Sequence, residues 1–243
     1  MIEKPGSNDA GQDAVGWVSG HIATAILEQR LLPGTKLGEA ALGEIFDVSR
    51  PVVRRVLTKL AHDKLVDRHS HRGAFIASPT VEEARQVFEA RRVIEDALVR
   101  ACVARVDAQI IAGFRAHIEA EARCAAKGDR PRWIRLTGEF HSLIAEASGN
   151  AVLTDILSQL IAQTSLIIGL YGNRMWSACC DGDHAWIVDA IAGGDVEGAA
   201  SRMRDHLHAC EASLSIEPDD GRPDLREIFA DLGVPKRAKR KSA

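Results

Sequence analysis

The chain of 243 residues is marked first by what it lacks. It has no run of about 18 apolar residues, so nothing in it reads as a membrane span. Its start, MIEKPGSNDAGQDA, is polar and holds no apolar signal core. Its five cysteines are odd in number and form no C-x-x-C pair. Cys179 and Cys180 are adjacent, a poor arrangement for a staple, so a reduced, cytoplasmic setting is expected. No repeat of fixed period occurs. H-E-x-x-H, a glycine-rich phosphate loop and G-x-S-x-G are all missing, which removes the common short signatures of hydrolases and nucleotide enzymes. Strong positive charge is also missing. The net charge is −3, which by itself does not point to nucleic acid. The charge is uneven, however. Nine Lys and Arg face six Asp and Glu in 15–80, a net +3, whereas fourteen face nineteen in 81–215, a net −5. A mildly basic front on an acidic body is one form a two-domain DNA binder takes.

What is present begins at VSRPVVRRVLTK, residues 48–59. Ser49 reads as an N-cap whose side-chain oxygen takes a free N–H of the first turn. Pro51 falls within that turn, where a missing N–H costs nothing. Val53, Val56, Leu57 and Leu60 recur at helical spacing as one buried stripe. Arg50 and Arg54 share an exposed face at the front of the helix, with Arg55 and Lys59 as a second basic row. Such a helix suits a major groove, where guanidinium pairs with guanine O6 and N7. It also fits an ordinary solvated face, and its neighbours decide between the two.

In chain order, residues 1–14 read as a disordered lead. A first amphipathic helix runs from Val15 to Leu31 and is stopped by Leu32-Pro33-Gly34. A short helix covers Glu39–Phe46 with Leu42, Ile45 and Phe46 inward, and Asp47-Val48 turns the chain into the basic helix. Leu65-Val66 and 74–76 are brief strand-like runs around Arg68, His69, His71 and Arg72, closed by Gly73, which can supply a positive φ. His71, Arg72 and Gly73 would then form a wing able to touch phosphate or a minor groove. From Thr80 to Ala212 almost everything reads as helix. Thr80-x-x-Glu83 is a capping-box pattern, and stops fall at Gly128 and at Gly149-Asn150. The helix from Val152 to Tyr171 is apolar on most sides, as expected for a central helix or a dimer seam. The tail, 216–243, is proline-bearing and ends in PKRAKRKSA, with a short helix expected at Leu225–Leu232.

The stretch ILEQRLLPGTKLGEAALGEIFDVSRPVVRRVLTKLAHDKLVDRHSHRGAFIA resembles the N-terminal domain of GntR-family transcription regulators. It departs from the family pattern at three places: Pro51-Val52 replaces Thr-Pro, Arg55-Val56 replaces Glu-Ala, and Lys64 replaces a turn glycine. Further on, EARRVIE at 89–95, EFHSLIAEASGN at 139–150 and DHAWIVDAIAGGDVEGAASRMRDHL at 183–207 resemble the all-helical FCD effector domain of the FadR subfamily. The expected fold is therefore mainly α. A winged helix-turn-helix with a small β-hairpin wing occupies 15–79, and an all-α bundle for effector binding and dimerisation occupies 80–215. The resemblance implies contacts to double-stranded DNA by Ser49, Arg50, Pro51, Arg54, Arg55, Lys59, His71, Arg72 and Gly73.

Polar groups on apolar faces mark a second site. His141 shares the inward face of its helix with Trp133, Thr137 and Ile144. His184 leads Ile187, Val188 and Ile191, and His206 shares a stripe with Met203, Cys210 and Leu214. Each is either a satisfied core histidine or one member of a metal set. A nitrogen-rich set favours zinc, with nickel, iron and manganese as alternatives. His21, His62, His69, His71, His117 and His208 lack this placement. Arg91 points into the stripe of Phe88, Ile94 and Leu98. It needs an anion there, either an internal acid such as Glu95 or Asp189 or the carboxylate of a small effector. Arg92 is expected to face solvent.

In FCD domains an Asp-x-x-x-His pair joins two later histidines, and a bound carboxylate completes the shell. That resemblance implies His141, His184 and His206 as metal ligands, and Arg91, Thr137 and the three histidines as the effector site. Thr137 stands at the Asp position, where a neutral hydroxyl is a weak ligand. Glu139, two residues off the face, points elsewhere. A fourth protein ligand is thus expected to be absent. The leading expectation is a homodimeric regulator of a palindromic operator, in repressor mode, controlled by a small organic acid. The alternative is a metal-dependent hydrolase or lyase on the three histidines, although no carboxylate is clearly placed beside them as a base.

Overall fold

A computed structural model describes residues 12–172 and 182–214 of the chain. The lead through residue 11, Cys179 and Cys180, and the tail with its expected helix at 225–232 lie outside the described residues.

The front third is built on three helices and a small sheet: α1 Gln12–Leu27, β1 Lys36–Leu37, α2 Glu39–Phe46, α3 Arg50–His62, β2 Val66–His69 and β3 Gly73–Ile76. α1 ends four residues earlier than expected, because Gln29 turns left-handed at φ 53 and the Arg30 N–H closes back on the Ala25 carbonyl. Asp47, at φ 51, makes the tight turn between α2 and α3. The stripe of α3 is as expected: Val53, Val56, Leu57 and Leu60 are all buried, each contributing about 1.5–3 kcal/mol. In α2 only Leu42 is fully buried; Phe46 is half-buried against Trp17 of α1, and Ile45, expected inward, is 71% exposed. The sheet is antiparallel in the order β1-β3-β2, with Val66 opposite Ile76 and His69 opposite Gly73. β1 was not anticipated. Its two residues pair with Phe75 and Ala74.

The body is helical: α4 Val81–Val103, α5 Ala108–Ala126, α6 Arg130–Ser148, α7 Ala151–Tyr171, α8 Asp183–Ala192 and α9 Val196–Ala212. The caps explain these boundaries. Thr80 and Glu83 form the reciprocal capping box. Asp107, Asp129, Asn150 and Asp195 each accept an N–H of the turn that follows. Gly149, at φ 73, ends α6.

By length and mean hydropathy α7 is apolar enough to cross a membrane, because a few Ser, Thr and Gln residues do not cancel its apolar ones. Its apolar surface goes instead into protein contacts. Leu157 and Ile161 pack with Leu98 of α4. Ala162 and Leu166 belong to the same buried cluster as the α1–α3 core. α7 therefore joins the front third to the body. Around this seam Tyr171 Oη donates to the Pro79 carbonyl at 2.9 Å, and Arg135 pairs with Glu28 of the α1–β1 loop at 3.3 Å.

Candidate functional site

His141 of α6, His184 of α8 and His206 of α9 are brought together. All three are buried, and one ring nitrogen from each lies within 4.8 Å of the other two. Helical spacing does this. Each histidine continues the apolar stripe of its own helix, and the stripes face a common interior. Phe140 stacks on His184 with ring centres 3.9 Å apart and fixes its plane.

Each ring is held from behind by a carboxylate. His141 Nδ1 lies 2.5 Å from Glu95 Oε2, His184 Nδ1 lies 2.9 Å from Glu121 Oε2, and His206 Nδ1 lies 3.2 Å from Asp183 Oδ2. An ionised carboxylate only accepts, so the proton belongs on Nδ1 and Nε2 is left as the lone-pair nitrogen. The Nε2 atoms of His184 and His206 are 3.4 Å apart. Three carboxylates that were not expected thus stand behind the imidazoles, each engaged by an Nδ1–H rather than set as a base. His117 stays outside the trio, as expected, but supports it from behind. Its Nε2 donates to the Leu136 carbonyl at 2.8 Å and lies 3.4 Å from Glu121 Oε1, behind the carboxylate that holds His184.

Electrostatics favour neutral imidazoles at His141 and His184 and ionised carboxylates behind them. Burial pushes the His141 imidazole down to about 3, against the pull of Glu95. Burial likewise lowers His184. Burial opposes ionisation of Glu95, but Arg91 and His141 outweigh it and hold the carboxyl at about 2. Glu121 is held at about 2 in the same way, its burial outweighed by His117 and His184. The His206 hydrogen bond lowers Asp183.

Arg91 is buried, as its place in the stripe implied. Its Nε donates to Glu95 Oε1 at 2.7 Å and its Nη1 to Thr164 Oγ1 at 3.3 Å. Of the two acids considered as partners, Glu95 takes the role, while Asp189 pairs with Arg115. Arg91 Nη2 is buried with no hydrogen-bond partner among the described residues. The Arg91 side chain borders an open cavity of about 450 Å³, counted to its mouth, that is also lined by Thr137, Thr164, Cys210 and the three histidines. Arg92 does not simply face solvent. It is half-buried and pairs with Glu211 of α9.

The donor set fits a divalent metal. Nitrogen donors about 2.0–2.1 Å from a tetrahedral zinc stand about 3.3–3.4 Å apart, which the His184–His206 pair already matches. Carboxylates behind each Nδ1 are the usual support of metal-bound imidazole. Thr137 lines the cavity but its hydroxyl donates to the Ile134 carbonyl at 2.8 Å. Glu139 pairs with Arg135, away from the cavity, as its position off the face implied.

At the other end of the molecule Arg50 is exposed at the start of α3. Arg54 is 67% exposed, with Nε 3.0 Å from Glu39 of α2, and Lys59 pairs with Asp63. Ser49 is the N-cap residue but makes no side-chain cap bond, a correction with a simple cause. Pro51 removes the N–H at the second helical position, and the hydroxyl does not reach the next one. In the wing, His71 and Gly73 are left-handed at φ 64 and 98, and the Arg72 guanidinium sits 5.9 Å from the Phe75 ring centre. Arg50, Arg54 and Arg55 thus share the exposed side of α3, and Arg72 stands on the adjoining wing.

The comparisons agree with this arrangement. Residues 17–76 match the family "Bacterial regulatory proteins, gntR family", and residues 86–209 match the FCD domain. The transcriptional regulator YdhC of Bacillus subtilis is 23% identical over 183 residues, 74% of this chain and 81% of that protein. The transcriptional repressor RspR of Escherichia coli K12 is 23% identical over 132 residues, 54% of this chain and 58% of that one. Among solved structures, a GntR regulator of Rhodococcus sp. RHA1 is 25% identical and superposes with a TM-score of 0.72, covering 82% of this chain and 95% of its own. With a winged helix-turn-helix in front and an FCD domain behind, the chain belongs to the GntR family of DNA-binding transcription regulators, not to an enzyme family.

Proposed function

We propose that this regulator binds a palindromic operator as a homodimer, and that a small organic acid in the FCD cavity controls its affinity for that operator. The observation that carries the reading is the pairing of two features in one cavity: three carboxylate-backed imidazoles, and a buried guanidinium with one nitrogen unpartnered among the described residues. His141, His184 and His206 hold a divalent ion, with zinc the best fit. Such an ion offers a Lewis-acid position to a carboxylate oxygen. Arg91 Nη2 donates to the same or a second carboxylate of the ligand, while Thr137 and Thr164 supply hydroxyls beside it. On the DNA side, Arg50 and Arg54 enter the major groove with Ser49, Pro51, Arg55 and Lys59 near the backbone, and the wing residues His71, Arg72 and Gly73 touch phosphate. A dimer sets two such helices about one DNA turn apart.

α7 couples the two ends. One side of it, through Ile161, Thr164, Ser165 and Ile168, lines the cavity, while Ala162 and Leu166 sit in the core of the DNA-binding unit. A ligand that draws Arg91 off Thr164 favours one seating of α7 over another, which is the differential affinity that allostery requires. Ligand-relieved repression is the mode we assign, in line with the repressor RspR.

The test has two arms. Gel shifts on the region upstream of its own gene should show sequence-preferring, salt-sensitive binding. A thermal-shift screen of small organic acids, with and without EDTA, should find an acid that raises Tm with dose and also weakens the gel shift. Binding that is indifferent to sequence would refute the operator assignment. A full acid screen with no rise in Tm would refute the effector.

A further inference from the structure

Side chains alternate along β3, so Ala74 and Ile76 enter the core and Phe75 is left half-buried on the open face of the sheet. Lys36 of β1 pairs directly with Phe75, while its neighbour Leu37 is buried. Directly paired residues share a face, so the exposed Lys36 side chain runs beside the Phe75 ring. Its Nζ lies 5.9 Å from the ring centre. The Arg72 guanidinium lies at the same distance from the same ring, so the two cations stand no farther apart than twice that distance. The Lys36 Cε comes 3.8 Å from the place a Cβ on Gly73 would take, so the side chain reaches along the sheet toward the wing tip. His69 stands against the same ring, with centres 5.6 Å apart. Asp67 is the one acid among the strand residues of this face, and among the described residues no ion pair joins it to Lys36 or Arg72.

We propose that Lys36 is a DNA-backbone contact, and that with Arg72 it grips the phosphodiester strand beside the wing. Phe75 is the post that sets both cations. A ring face attracts an ammonium or a guanidinium without neutralising it, whereas a carboxylate there would cancel the charge that DNA needs. The two cations are therefore held in place and still available to an anion. Lysine offers a compact point charge with rotatable donors, which suits a phosphate oxygen and carries no base identity. The inference rests on the wing reading above and extends it to β1, a strand outside both the recognition helix and the wing hairpin. Lys36 thus adds affinity and register on the duplex but no sequence preference.

The experiment is fluorescence anisotropy of the full-length chain on a random-sequence duplex and on a duplex from the region upstream of its own gene, between about 50 and 200 mM salt. Each phosphate contact adds about 0.9 to the slope of log affinity against log salt. Lys36→Gln, checked for native circular dichroism, is expected to lose about that much slope for each bound protomer. The advantage of the wild type then shrinks about 3.5-fold per protomer across the range, equally on both duplexes. Lys36→Arg keeps the charge and is expected to keep the slope. Lys127→Gln, an exposed lysine at the end of α5, is expected to change nothing. Arg72→Gln tests the wing by itself. A slope lowered by Arg72→Gln but not by Lys36→Gln would overturn this inference and leave the wing reading standing. A slope lowered by neither would overturn both. A Lys36→Gln loss confined to the upstream duplex, or matched by Lys127→Gln, would overturn the backbone contact.

Discussion

Glu95→Gln is a change of one atom type, and the structure makes it costly. Glu95 is 2% exposed and holds two donors at once, Arg91 Nε on Oε1 at 2.7 Å and His141 Nδ1 on Oε2 at 2.5 Å. A glutamine amide accepts from one of them and turns its own N–H₂ toward the other. Arg91 is then a buried cation with no anion, and breaking a buried pair from one side costs about 3–5 kcal/mol. The depressed carboxyl points the same way. Glu95 is held at about 2 against an ordinary 4.5, a difference of about 3 kcal/mol. For a domain of this size that is a fall in Tm of about 10 °C. Because the folded value is the lower one, the stabilisation is complete above pH 4.5 and is lost as pH falls toward 2. The gap between wild type and variant should therefore be flat from neutral pH down to about 5 and narrow below it.

The assay is urea or thermal unfolding of wild type, Glu95→Gln and the double variant Arg91→Met/Glu95→Gln. The double variant removes the stranded charge, so it should be more stable than the single one although it departs further from the natural sequence. A single-variant loss under about 1 kcal/mol, the scale of an ordinary hydrogen bond, would refute the reasoning. So would a double variant no more stable than the single.

EDTA should lower the Tm of the wild type and leave that of His184→Ala unchanged, as a scanning-fluorimetry comparison of the two would show. For an ion at a thousand times its Kd the linkage is worth about 4 kcal/mol. Arg50→Ala and Arg54→Ala should each weaken operator binding by about 1–3 kcal/mol and relax base preference, measured by fluorescence anisotropy on matched and mismatched sites. The exposed Arg54–Glu39 pair is worth at most about 1 kcal/mol, so it does not keep Arg54 from DNA. Lys64→Gly should stabilise the fold by up to about 1 kcal/mol in chemical denaturation, because Lys64 is held left-handed at φ 61, where glycine carries no steric penalty.

What the sequence showed and what it hid divide along physical lines. Helices announced by local chemistry were legible to within a residue or two, among them α2, α3, the capped start of α4 and the glycine stop of α6. The end of α1 was not, because glutamine is an uncommon residue for a left-handed turn and Gln29 gives no warning of one. Nor was β1, whose two residues become a strand only through Phe75 and Ala74, nearly forty positions away. At the site, periodicity found each buried histidine and the inward arginine but missed the carboxylates behind them, which stand 46, 63 and 23 positions from their partners. A signal for two of these was nevertheless in the chain. Glu95 lies one turn from Arg91, and Glu121 lies on the stripe of Phe114 and Cys124. An acid on an apolar face needs a donor as much as a histidine there needs an acceptor. Pairing the two kinds of misfit, instead of explaining each alone, would have assembled the His141–Glu95 and His184–Glu121 dyads before any coordinates. Asp183 gave no such sign. It begins α8, where an acid serves the helix N-terminus in any case, and only the packing of α9 against α8 turns it toward His206.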